Sequence, residues 1–81
     1  MKRKQYFDAN KFSKIIKTKR IINDKTDIRT AAKQIDISAS TLSRCENGKQ
    51  MEINTFLSIC HWLDISPTYF FTTKKIIPLT Q

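Results

Sequence analysis

The sequence predicts an all-α fold: a compact bundle of five short helices followed by a short C-terminal tail. Three observations predict it. The chain has 81 residues, enough for one small hydrophobic core and therefore one domain. It holds one Gly and two Pro, so the turn-rich composition of a small β domain is missing. Its apolar residues recur at helical spacing, between polar residues that start and stop helices. The single domain is expected over residues 1–81, with a core at about 8–71, a basic arm over 1–7 and a tail over 72–81.

Each element has its own signal. A first helix is expected at about 10–22, where Phe12, Ile15, Ile16 and Ile22 share one face and Lys11, Lys14, Lys17 and Lys19 fill the rest. Asp8 is its N-cap. Residues 23–26 are polar and break the pattern, so they form a loop. A second helix at about 28–35 is capped by Asp27 or Thr26 and places Ile28, Ala31, Ala32 and Ile35 inward. Its two alanines let another helix approach closely. Asp36 and Ile37 connect it to Ser38, the N-cap of a third helix at about 39–46. There only Leu42 and Cys45 face inward, while Ala39, Ser40, Ser43 and Arg44 point elsewhere. Asn47-Gly48 stops the helix, because Gly takes the left-handed conformation without Cβ strain. A fourth helix at about 55–63, capped by Asn54, buries Phe56, Ile59, Cys60 and Leu63. Ser66-Pro67 then opens a fifth helix at about 67–71, which returns Phe70 and Phe71 to the core. The tail, with Ile76, Ile77 and Leu79 around Pro78, reads as a strand, an arm or a disordered end.

Composition removes several function classes. An apolar fraction of 40% is too high for a chain disordered throughout. No run of 18 apolar residues exists, so no bilayer span and no membrane partner are expected. Met1-Lys2-Arg3-Lys4 is basic but lacks a following apolar stretch, so it is not a secretory signal. Cys45, Cys60 and His61 lack the close ligand pairs of a zinc site, so no metal and no cofactor are expected. The thiols fit small buried hydrophobes of a reducing compartment. Paired carboxylates, a phosphate-cradling Gly loop and a nucleophile motif are all missing from the sequence, so neither an enzyme nor a small-molecule substrate is expected.

The charge is asymmetric. Residues 1–49 hold 13 Lys/Arg against five acids, whereas residues 50–81 hold Lys74 and Lys75 against Glu52 and Asp64. The net charge of +8 therefore lies wholly in the first three-fifths of the chain. Such a field suits DNA, RNA or an anionic membrane, or simply a solvated surface. The second and third helices narrow the choice. Two short helices joined by three or four residues are the helix-turn-helix unit. It needs small residues at the helix crossing, a tight turn, and a second helix anchored by few apolar residues, so that its other face is free for the major groove. Residues 28–46 meet all three demands.

From about Phe12 to Phe71 the sequence resembles the lambda-repressor-like, Xre-type helix-turn-helix domain of phage repressors and Cro proteins. The residues that carry the resemblance are Lys19-Arg20, Ala31-Ala32, Ile37-Ser38-Ala39-Ser40-Thr41-Leu42-Ser43-Arg44, Glu46-Asn47-Gly48-Lys49, and Leu63-Asp64-Ile65-Ser66. The resemblance implies that Ala39, Ser40, Ser43 and Arg44 read bases, with Arg44 as a guanine reader or alternatively a phosphate clamp. Lys17, Arg29, Lys33, Ser38, Thr41, Asn47 and Lys49 are the expected phosphate contacts. Arg20 and Glu46 match an ion pair that ties helix one to the end of the recognition helix. Two departures stand out. The family's helix-two Gln is replaced by Asp27, Ile28 and Arg29, and the loop 50–53 is neutral overall and lacks a Pro. No separate C-terminal dimerisation or cleavage domain is expected.

The functional expectation is a cytoplasmic regulator of bacterial or phage origin, most simply a repressor, that binds a palindromic double-stranded operator as a homodimer. Pro67, Thr68, Tyr69 and Ile77 are the candidate dimer interface, or else Tyr69 and the tail only cover the core. Lys2, Arg3 and Lys4 form either a DNA-following arm or a solvated terminus. The alternative function is a protein-interaction module of the same fold, an antitoxin or accessory factor that uses Trp62, Tyr69 and Phe70.

Overall fold

The computed structural model describes residues 5–73. Strand β1 (Tyr6–Phe7) leads into helix α1 (Ala9–Lys17), which continues as a π-helical turn, Thr18–Asn23. Helices α2 (Ile28–Ile35), α3 (Ala39–Glu46) and α4 (Ile53–Leu63) follow, then a 3-10 turn (Pro67–Phe70) and strand β2 (Phe71–Thr72). The two strands pair antiparallel, Tyr6 opposite Thr72 and Phe7 opposite Phe71. The fold is thus mostly helical, with four helices, a 3-10 turn and a small sheet in place of an all-α five-helix bundle.

The core is a layer of side chains shared by all four helices. Phe12 and Ile16 of α1 meet Ala31, Ala32 and Ile35 of α2, Leu42 and Cys45 of α3, Phe56, Ile59 and Cys60 of α4, and Phe70. One end is aromatic. Phe12 packs edge-on to Phe70 at 4.9 Å between centroids and at 5.1 Å from Phe56, and Phe7 closes the group at 5.5 Å from Phe12 and 5.4 Å from Phe56. Offset and edge geometries of this kind add about 0.5–1.5 kcal/mol per pair beyond burial. They also explain the sheet. Phe7 must lie against this cluster, and the Asp8 N–H then donates to the Phe70 carbonyl at 2.8 Å, which zips the two chain ends together.

Four expectations are corrected by these packing demands. The fifth helix is a single 3-10 turn, closed by the Tyr69 N–H on the Ser66 carbonyl, and Phe71 is already extended. The arm expected over 1–7 gives up Tyr6 and Phe7 to β1, and the tail expected from 72 gives up Thr72 to β2. Helix α4 starts at Ile53; Glu52 is its N-cap residue without a side-chain capping bond, and Asn54 lies exposed inside the first turn. Finally, the first helix does not stay α-helical to residue 22. The Asp24 N–H donates to the Lys19 carbonyl, an i to i+5 bond that widens the turn. A wider turn rotates less per residue, so Ile22 leaves the inner face and is 65% exposed. Ile77 and the remainder of the tail lie outside the described residues.

Helix ends follow one pattern. After α2, α3 and α4 a residue in the left-handed region stops the helix: Asp36 (φ 69°), Gly48 (φ 74°) and Asp64 (φ 58°). Each is followed by the double closure of a Schellman motif. After α3 the Lys49 N–H donates to the Arg44 carbonyl at 3.0 Å and the Gly48 N–H to the Cys45 carbonyl at 3.2 Å. A Cβ added at Gly48 would meet nothing within 4 Å, so the only penalty for a side chain there is backbone strain. Gly48→Ala is therefore expected to lower stability by about 1 kcal/mol in urea titration, with an unchanged m-value.

Candidate nucleic-acid interface

The α2–α3 unit is built by size and by capping. Ala31 and Ala32 are fully buried where α3 crosses α2. After α2 the Ile37 N–H donates to the Ala32 carbonyl at 3.0 Å, so the chain turns within Asp36, Ile37 and Ser38. The Ser38 hydroxyl oxygen accepts from the Thr41 N–H at 3.1 Å and donates to Thr41 Oγ1 at 2.7 Å, with Ser40 Oγ 3.3 Å away. At the far end Asn47 Nδ2 donates to the Ser43 carbonyl at 2.8 Å. The helix is thus closed at both ends by its own side chains.

Only a narrow stripe of α3 is buried. Leu42 and Cys45 anchor it, and Cys45 Sγ approaches Met51 Sδ at 3.7 Å, which fastens the following loop. Burial, reinforced at Cys45 by the Glu46 charge, pushes both Cys thiols up. Ser40, Arg44 and Asn47 are exposed on the outer side, and Ser43 is half-buried. Ala39 is half-buried too, with its methyl packed against the core. Lys17 at the end of α1, Arg29 and Lys33 on α2, and Lys49 beyond Gly48 are exposed. Among the described residues the charged side chains of these four and of Arg44 form no hydrogen bond or ion pair. The hydroxyls of Ser38 and Thr41 are committed to the cap.

One ion pair fixes α3 against α1. Arg20, in the π-helical turn, donates from Nε to Glu46 Oε2 at 2.6 Å and from Nη2 to Glu46 Oε1 at 2.9 Å. Its Nη1 donates to the Thr26 carbonyl at 3.2 Å. Glu46 is 6% exposed, yet no buried side-chain N or O among the described residues lacks a partner. The hydrogen bond to Glu46 raises the Arg20 pKa, so the guanidinium stays charged. Sequence reasoning missed the Thr26 carbonyl, because a backbone acceptor leaves no trace in residue identity. It also missed the contact by which Trp62 Nε1 donates to Gln34 Oε1 at 3.0 Å, and the Lys19 ammonium 5.0 Å from the Trp62 ring centre. No spacing rule links positions 28 residues apart.

The residues named for an interface between copies sit elsewhere. Pro67 opens the 3-10 turn, and the Thr68 hydroxyl lies 3.0 Å from that of Ser66. Tyr69 is exposed, and the Lys11 ammonium covers its ring at 3.8 Å. Among the described residues no three His, Cys, Asp or Glu side chains gather as a metal site, and no helix is long and apolar enough to cross a membrane.

A short capped helix with a polar outer stripe, held at a tight turn by two alanines, is the geometry of a helix-turn-helix. The family model of the Cro/C1-type HTH DNA-binding domain matches residues 11–75. The chain belongs to this family. No curated protein and no solved structure shows significant similarity to it. In this Cro/C1-type domain the matched span begins in α1, contains the whole α2–α3 unit and runs past β2. It takes in the Arg20–Glu46 pair and leaves out β1 entirely, so the small sheet is closed by a strand from outside the matched span.

Two measurements check this geometry. Asp27 caps α2, and the hydroxyl and N–H of Thr30 hold its carboxyl below the ordinary range. Its capping contribution is complete above the ordinary Asp value and is lost as pH falls through the lower folded one. Carboxyl-carbon NMR should show the Asp27 midpoint depressed, and a midpoint at the unfolded value would contradict the cap. Glu46→Ala should cost about 3 kcal/mol in urea titration, because it strands the partly buried Arg20 charge. The double change Arg20→Met, Glu46→Leu should recover much of that loss.

Proposed function

We propose that this protein is a sequence-specific regulator of transcription, acting in the cytoplasm as a homodimeric repressor on a two-fold symmetric DNA site. Helix α3 lies in the major groove, with Arg44 donating to a guanine edge and Ala39, Ser40 and Ser43 facing neighbouring bases or phosphates. Lys17, Arg29, Lys33, Asn47 and Lys49 grip the strands beside it, with Ser38 and Thr41 at the start of the helix. The half-sites lie about one helical turn apart, about 34 Å.

The observation that carries the reading is the outer stripe of α3. It is polar and solvent-facing, and a partly buried ion pair and two end closures fix it in place, so little order is left to gain on binding. The uncommitted cations of α1, α2 and the loop after α3 suit the phosphate backbone, which supplies most of the hydrogen bonds in such complexes. The working unit includes β1 to β2, and Lys2, Arg3 and Lys4 serve as its DNA-following arm.

Selection of bound fragments from random duplex DNA should return one preferred, palindromic site. Arg44→Ala should cost about 1–3 kcal/mol at that site and relax preference at one base. Lys17→Ala or Lys49→Ala should weaken all duplexes alike and lower the slope of affinity against salt. An Arg44→Ala protein with unchanged sequence preference would remove the guanine-reading role.

A further inference from the structure

Helix α3 packs on α1 and α2, so its direction depends on how firmly those two are held. The Arg20–Glu46 pair holds it on the α1 side. Packing on the α2 side is lighter. Ala31 and Ala32 allow a close approach but bury little area, and of the larger apolar side chains of α2 Ile35 is buried while Ile28 is half-buried. One side chain of α4 reaches both neighbours of α3. Trp62 Nε1 donates to Gln34 Oε1 at 3.0 Å, on the exposed side of α2. The Lys19 ammonium, next to Arg20 in the π-helical turn, stands over the Trp62 ring at 5.0 Å from its centre and 3.3 Å from Asp24 Oδ2. A cation at that distance is attracted to the indole face. Trp62 is the only Trp in the chain. A Leu in its place would serve packing equally, but it could neither donate a hydrogen bond nor draw a cation.

We propose that Trp62 is a positioning residue for the recognition helix: by holding Gln34 and Lys19 at once it fixes α2 and the π-helical turn, and so sets how sharply the protein tells its own site from other duplexes. The inference rests on the DNA reading above and adds a determinant of specificity that touches no base. Base edges are read by Ser40, Ser43 and Arg44 together, which requires α3 to lie in one register and tilt. The serines are too short to follow a helix that has rocked. Phosphates are gripped by Lys17, Lys33 and Lys49, whose long side chains adapt to a small tilt. A loosened α2 therefore costs affinity at the preferred site and spares binding to a random duplex. Lys19 points the same way. Its ammonium is shared between Asp24 and Trp62, so loss of the ring releases a cation and does not weaken attraction to phosphate.

The test measures the affinity of the full chain for the duplex recovered by selection and for a random-sequence duplex at the same salt. Trp62→Leu should lower the ratio of the two affinities by about three- to tenfold, without lowering affinity for the random duplex. Trp62→Phe keeps a ring for Lys19 and loses the N–H, so it should lower the ratio less. Gln34→Met should match Trp62→Phe, and the two together should cost no more than either alone, since both remove one bond. Gln34 is exposed, so Gln34→Met decides the matter even if the Trp62 variants unfold. A merely structural role reduces the folded fraction and lowers both affinities by one factor. The proposal is overturned if both affinities fall alike in a variant that keeps its circular dichroism spectrum, or if Gln34→Met leaves the ratio at the wild-type value. A wild type that does not discriminate between duplexes removes the DNA reading and this proposal with it. A discriminating wild type with unmoved variants removes the proposal alone.

Discussion

The Arg20–Glu46 pair is the constraint on which the geometry of this domain depends. Glu46 is the last residue of α3 and Arg20 sits in the π-helical turn after α1, 26 residues away. The guanidinium uses two edges on the carboxylate and a third N–H on the Thr26 carbonyl. It therefore joins three things at once: the end of the first helix, the loop that leads to α2, and the end of α3. Lys has no equivalent, because a single ammonium cannot present that planar fork. A partly buried pair of this kind adds little net stability over an apolar packing. What it contributes is orientation, since a planar fork allows few arrangements of the two helices that carry it.

The π-helical turn belongs to the same arrangement. An α-helix continued to residue 22 would carry Ile22 towards the face that holds Ile15, seven residues earlier. The wider turn instead leaves Ile21 and Ile22 in solvent and leaves Arg20 directed at Glu46. Two large apolar side chains are thus exposed by the turn that seats the ion pair. On the other side of α3 the solution is cheaper. Ser38 and Asn47 close the helix with their own side chains, and Leu42 and Cys45 anchor it. A helix anchored by two residues can present most of its circumference to a ligand, which a helix with a full apolar face cannot.

The sequence by itself determined the helix-turn-helix. Its signals are local: the cap residues Asp8, Asp27 and Ser38, the pair Ala31-Ala32, and Gly48 after Asn47 each act within one turn of the backbone, and each is found in the structure where the sequence places it. The ends of α2 and α3 were legible for the same reason. The start of α4 was not. Asn54 has the chemistry of a cap, but Phe56, Ile59 and Cys60 fix the helix from its buried side, and it begins two residues earlier than expected, with no side-chain cap at all.

The tertiary structure alone decided the rest. Two-residue strands have no periodicity to read, and β1 and β2 exist because Phe7 is drawn onto Phe12 and Phe56 while Phe70 is drawn in from the other end of the chain. The carbonyl of Thr26, the widened turn and the bond from Trp62 to Gln34 depend in the same way on residues remote in sequence. Local capping and spacing are short-range physics, and one chain states them openly. Which aromatic ring meets which, and where a guanidinium finds its third acceptor, are settled only when the helices share one core.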